Sequence, residues 1–258
     1  MIYDLQKANM WKRISAYIFD VILYCIIAVG VAFLLSSALG FDSYFNGYEE
    51  KRGAIREKYE TEYGIDFNIT REQFDALSEE ERAIYDLVSR ELSTNAELSY
   101  LFNMTVYLCL IIATFSLLIP HLILEFAVPL FLKNGQTLGK KIFGVALMRI
   151  DGVKISPVAL LVRVLFGKFT IETMFPAFVL ILVFFGQMGW IGLLTVAALL
   201  ILQIALLCAT RRSTPVHDLI AGTVAVDISS QLIFDTPEAL LEYKKKIHAE
   251  EAQRTPYP

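Results

Sequence analysis

The chain has 258 residues, is 55% hydrophobic and only 19% charged, and carries a formal net charge of −4. A soluble globular domain has about 25% charged residues, and the charges here avoid several apolar runs of the ~20 residues needed to cross a bilayer. Composition therefore points to an integral membrane protein, and no basic stripe suggests a nucleic-acid binder. The first run, about Ile14 to Leu39, is too long for the apolar part of a cleaved leader and reads as a retained helix, with Gly40 as its stop. Residues 41–100 hold fifteen acids against seven bases. This insert reads as helical: "TREQ" (Thr70–Gln73) and "SEEE" (Ser78–Glu81) fit the capping box, and Ile84, Leu87, Val88 and Leu92 recur at helical spacing. A solvated helical cap is its simplest description; a ligand-binding ectodomain stays open.

A second span follows from about Leu101 to Leu132, with Pro120 and Pro129 as kink points. The third region, Pro157 to Phe185, starts with Arg163 and Lys168 near the interface and enters the bilayer from Thr170. "GQMGW" (Gly186–Trp190) is a chargeless turn before the last span, Ile191 to Ala209. The expected fold is an all-α membrane protein with four transmembrane helices, a helical extracytoplasmic insert and a small cytoplasmic β element. Its parts are residues 1–40, 41–100, 101–229 and a tail helix in 230–258. Lysines and arginines before the first span, between the second and third, and after the last share one side, which the positive-inside rule makes cytoplasmic along with both termini. This orientation fits a plasma-membrane protein. "VALMRIDGVKIS" (Val145–Ser156) alternates around Asp151-Gly152, a hairpin signal, and "GTVAVDIS" (Gly222–Ser229) is expected to add a third strand.

Asp20 lies inside the first apolar run, seven residues after Arg13 and hence on the same helix face. A carboxylate at mid-membrane costs roughly 2.5–3.5 kcal/mol on insertion scales. It needs a partner, water or a proton. A fixed ion pair joining two helices, an ion-handling carboxylate and snorkelling are the open alternatives. His121 and Glu125 share a face of the second helix, and Glu172 sits at similar depth on the third. His217-Asp218 is placed to cap a short helix or to pair with a base such as Arg13. No HExxH or CxxC is present, so a metal site is not expected, nor is a cofactor. Cys25, Cys109 and Cys208 all fall in apolar runs, which leaves no disulfide framework. Lys140 and Lys141 read as interfacial lysines, and Arg211 and Arg212 as lipid anchors after the last span.

Three stretches together carry a resemblance: "WKRISAYIFDVIL", "GQTLGKKIFGVALMRIDG" and "RRSTPVHDLIAGTVAVD". The set resembles the RDD family of prokaryotic membrane proteins over about Asn9 to Ser229, interrupted by an acidic insert longer than the family leads one to expect. The resemblance implies that Arg13, Asp20 and Asp218 are the arginine and two aspartates of the family's name. It also brings the suggestion of transport, including sodium/proton exchange. Two functions are expected. One is a small cation or proton transporter, or a subunit of one, using Asp20 within the polar cluster. The other is a non-catalytic scaffold or partner subunit of a larger membrane complex. No nucleophile with a positioned base is visible, so an enzyme is not expected. Expected partners are membrane lipids, with a protein partner or a second copy left open, and no nucleic acid.

Overall fold

The computed structural model describes residues 4–184, 186–210 and 213–254. Phe185, Arg211 and Arg212 lie outside the described residues. In chain order the elements are α1 (Met10–Leu39), α2 (Phe41–Tyr63), α3 (Arg71–Asp75), α4 (Glu79–Thr94), α5 (Ala96–Leu132), α6 (Leu138–Ile142), β1 (Val145–Arg149), α7 (Pro157–Phe184), α8 (Gly189–Ala209), α9 (Val216–Ala221), β2 (Thr223–Asp227) and α10 (Pro237–Arg254). α1, α5, α7 and α8 are long and apolar enough to span a membrane. A helix apolar all round needs either a protein core or lipid around it, and one left unburied by its own chain calls for lipid. α1 shows this well: among its residues only Ala16 and Asp20 are buried.

The chain divides into two compact units, Gly30–Phe115 and the remainder. In the first unit α2, α4 and the start of α5 bury Ile55, Tyr59, Val88 and Leu98, with Tyr48, Phe67, Ile84 and Leu92 packed against them. Both expected capping boxes form. The Thr70 hydroxyl accepts from the Gln73 N–H (3.3 Å) and the Gln73 side chain accepts from the Thr70 N–H (2.8 Å). Ser78 and Glu81 exchange the same pair of bonds. Each box satisfies helix-end donors that have no intrahelical partner, which fixes where α3 and α4 begin.

In the second unit β1 and β2 pair antiparallel, with Val145 opposite Asp227 and Arg149 opposite Thr223. This corrects the expected order of pairing. Asp151-Gly152 does turn the chain, and the Arg149 N–H reaches the Val153 carbonyl (2.8 Å). The returning segment, however, pairs only through a bridge between Met148 and Lys154. The long partner of β1 is β2, which is not a third strand added to a hairpin. Both faces of the ribbon are buried: Ala146, Met148, Val224 and Val226 form one cluster, and Val145 and Ala225 pack with Ala8 in another. Its edges are covered too. Gln6 to Ala8 run along β2, where the Asp227 N–H bonds the Gln6 carbonyl (3.1 Å), and Phe234 pairs beside Lys154 (2.8 Å). A bare two-stranded ribbon is marginal in water, and these additions supply its missing neighbours.

Two membrane helices contain wide π turns. In α5 the π segment is His121–Ala127, set between the expected kink points Pro120 and Pro129. Proline lacks the N–H that would continue the α ladder and crowds the preceding turn, so a register change beside it is a natural relief. In α7 the π segment covers Arg163–Met174, and the Thr170 and Thr173 hydroxyls donate to the carbonyls of Leu165 and Lys168, five residues back. The widening changes which side chains share a face. At 3.6 residues per turn, positions five apart point ~140° away from each other. A backbone that bonds i to i+5 brings them back over one another. Arg163 and Lys168 thus face the same interior.

Candidate functional site

The segment between α5 and β1 builds the floor of the site. Gly135 has φ 61°, and a Cβ there would lie 2.9 Å from the Leu147 Cβ. Gln136 donates to the Val145 carbonyl (2.8 Å). Thr137 caps α6 by accepting from the Lys140 N–H, and its hydroxyl donates to Asp20 (2.5 Å). The Gly139 N–H donates to the other Asp20 oxygen (2.8 Å). A Cβ on Gly139 would fall 2.3 Å from the Ala16 carbonyl, so only glycine lets α6 reach α1 this closely. "GQTLGKK" is therefore a socket that grips the buried carboxylate of α1. Asp20 is 6% exposed and is held by a hydroxyl and a backbone N–H, without a cation in ion-pair range among the described residues. Of the open alternatives for Asp20, the ion pair does not form among the described residues; the N-terminal turn of α6 takes that place.

The ion pairs lie next to it. Arg163 donates to Asp218 (2.7 Å) and to Glu125 (3.3 Å), and both partners are almost fully buried. Thr223 at the start of β2 adds a bond to Asp218 (2.8 Å). Glu125 also receives Lys168, and Lys140 stands 3.7 Å away. Lys140 was expected at the lipid interface; it turns inward because α6 docks on α1 and its side chain then faces Glu125. Lys141 is exposed. Burial resists ionisation of Asp218, but the Arg163 guanidinium outweighs it and holds this carboxyl well below the usual carboxylate range. Burial also pushes the Lys140 ammonium down to about 8, against the pull of Glu125.

Glu172 is bound differently. It accepts from the His217 Nδ1–H (2.8 Å), the His217 backbone N–H (3.2 Å) and the Gln203 amide (2.6 Å). The other end of Gln203 accepts from the Val216 N–H (3.2 Å). Burial lowers the proton affinity of His217, Arg163 lowers it further, and Asp218 and Glu172 partly restore it. Gly167 makes the approach of α9 possible, since a Cβ there would lie 2.5 Å from the His217 Cβ. Gln203 was not foreseen; its signal was a lone amide in the apolar run of α8.

Arg13, Asp20, Glu125, Lys140, Arg163, Lys168, Glu172, His217 and Asp218 all line one cavity of about 480 Å³. Four carboxylates face four fixed cations there, so the formal charge sums to zero with His217 neutral. Buried ions cost several kcal/mol each unless paired and hydrogen-bonded, and this balance is what makes the cluster tolerable. The three residues of the expected trio share the cavity but do not touch one another. Arg13 donates to the Ser213 carbonyl (2.8 Å), Asp20 sits in the socket, and Asp218 belongs to Arg163. His121 stands apart from the cavity and makes no bond to Glu125. Its Nε2 pairs with the Thr173 hydroxyl (3.0 Å), and its ring packs at a tilt against Tyr24. Among the described residues no group of three or more His, Cys, Asp or Glu side chains is placed to hold a metal ion.

The sequence pattern of the RDD family matches residues 7–222, most of the chain and all of the cavity lining except Ala225. No curated protein and no solved structure gives a significant match.

Proposed function

The chain belongs to the RDD family, and from that premise we propose that this multi-pass membrane protein exchanges a small monovalent cation for a proton at Glu172 and His217. The observation that carries the proposal is the bonding of Glu172. Asp20, Glu125 and Asp218 are held by a socket or by fixed cations. Glu172 faces the cavity with a titratable imidazole and a neutral amide as its side-chain partners. When the pair holds one extra proton it is an imidazolium beside a carboxylate, and it needs no further cation. When that proton leaves, a carboxylate charge remains beside the Gln203 amide, and a sodium-sized cation can replace the proton. Asp20 then has a positioning role: it pins α6 to α1 and so sets Lys140 against Glu125. The protein acts without covalent chemistry in this reading. It resides in the plasma membrane with both termini cytoplasmic, as its lysines and arginines favour.

The test is sodium-driven proton flux in proteoliposomes of the full chain. Glu172→Gln is expected to abolish flux while the variant still folds, with a loss of about 1–3 kcal/mol in thermal unfolding because an amide then faces the His217 and Gln203 donors. Wild-type flux in that variant would end the proposal.

A second reading is favoured by the same network. Most charges of the cluster are satisfied inside the protein, as a clamp between α5, α7 and α9 would require. In that case the protein is a partner subunit, joined to another protein or a second copy. Absence of flux from the purified protein, together with a hetero-complex that dissolves when residues 41–100 are removed, would favour it.

A further inference from the structure

The cavity is too large and too apolar on one side for an ion alone. Arg13 is the fourth residue of the 30-residue α1, at the depth where a span meets the headgroups. Its guanidinium lines the cavity, and its only hydrogen bond among the described residues goes to a backbone carbonyl, with no carboxylate within ion-pair distance. An arginine has five donors, so most of its capacity is uncommitted. Opposite it, the lining passes into hydrocarbon. Val196, Leu199, Leu200, Leu202 and Leu207 all face the cavity from α8. The stretch from Val196 to Leu207 covers ~16 Å of helix at 1.5 Å per residue, about half the thickness of a bilayer core. Leu200 is 60% exposed on the outer side, so this wall is continuous with the lipid-facing surface.

We propose that the cavity binds one anionic membrane phospholipid, with its phosphate on Arg13 and one acyl chain along the α8 wall. Charge selects the headgroup. A guanidinium recognises phosphate oxygens with two parallel N–H bonds, and an anion at this point meets a cation whose hydrogen-bond donors no carboxylate occupies among the described residues. The chain fills the apolar side and excludes water there, leaving only the ionised end of the cavity wet. This proposal is independent of cation–proton exchange; a lipid in this place would serve a transporter or a scaffold alike.

The experiment is native mass spectrometry of the full chain after reconstitution into vesicles of equal phosphatidylglycerol and phosphatidylcholine. The wild type is expected to retain one phosphatidylglycerol about tenfold over phosphatidylcholine. Arg13→Gln should remove that preference, and Lys141→Gln, at an exposed lysine outside the cavity, should keep it. Val196→Trp, which fills the wall without touching Arg13, should lose the bound lipid and guards against misfolding of the arginine variant. Equal retention of the two lipids by the wild type, or equal effects of Arg13→Gln and Lys141→Gln, would overturn the proposal. Retention of dodecyl phosphate with exclusion of phosphatidylglycerol would overturn it in favour of a free amphiphile.

Discussion

The insert and the cavity both concentrate charge, yet their charges obey different rules. In the insert, Lys58 and Glu91 stand 3.8 Å apart with side chains 58% and 35% exposed. In the cavity, Arg163 and Asp218 stand 2.7 Å apart with each side chain 3% exposed. Water screens the first pair and makes it optional; exposed pairs contribute about 0–1 kcal/mol. The second pair has no water to return to. Removing one member leaves a buried charge, so a residue of the same type becomes indispensable through its surroundings. The same contrast governs glycine. Gly53, within α2, has open space around its missing Cβ, whereas Gly139 has the Ala16 carbonyl there.

The sharpest way to break this comparison is Arg163→Ala. It strands Asp218 and takes from Glu125 one of the three cations around it, and a loss of about 3–5 kcal/mol is expected. Arg52→Ala in the insert should cost less than about 1 kcal/mol. Thermal unfolding in detergent measures both, and equal shifts would show that burial does not separate the two regions. The glycine pair sharpens it with opposite signs. Gly139→Ala forces a contact that the backbone cannot relieve and should cost about 1–3 kcal/mol. Gly53→Ala in an exposed helix interior should stabilise by about 0.5–1 kcal/mol. Asp20→Asn keeps the shape but presents an amide to two donors, Thr137 and Gly139. A loss of about 1–3 kcal/mol is expected, read from the same unfolding curves.

The contrast between buried and exposed groups extends to pH. Lys140 has its proton affinity lowered from 10.5 to about 8, chiefly by burial. The unfolded chain therefore binds this proton more tightly than the folded one. Stability from this group should rise as pH climbs from about 8 towards 10.5, and Lys140→Met should flatten that rise. Asp227 behaves in the opposite direction. Hydrogen bonds from Lys12 and Ser229 hold it down at about 2, below its ordinary 3.8. Its contribution is present above 3.8 and is lost as pH falls through about 2, a dependence that Asp227→Asn should remove from an acid-unfolding titration.

The four spans and both capping boxes were legible because each depends on neighbours in sequence. A run of apolar residues sets a span, and Thr70 with Gln73 sets a cap. Asp20, Glu125 and Glu172, which the sequence grouped, line one cavity. Their partners were not. Arg163 and Lys168 point apart in an α-helix and converge only because α7 widens into a π turn, which no apolar periodicity announces. Asp20 suggested a cation, since an acid in lipid calls for one, but a hydroxyl and a backbone N–H do the same work when a helix start is pressed against it. β1 and β2 are far apart in sequence, and the nearer Asp151-Gly152 turn was the stronger local signal. Gln203 was overlooked because one amide hardly alters the hydropathy of α8.

The central claim is that proton and cation compete for the pair formed by Glu172 and His217. Equilibrium binding of radioactive sodium to the purified full chain, followed from pH 5 to pH 9, tests it most directly. Binding should strengthen as pH rises in the wild type, lose its pH dependence in His217→Gln and vanish in Glu172→Gln. Sodium binding that is indifferent to pH, or that survives intact in Glu172→Gln, would contradict it.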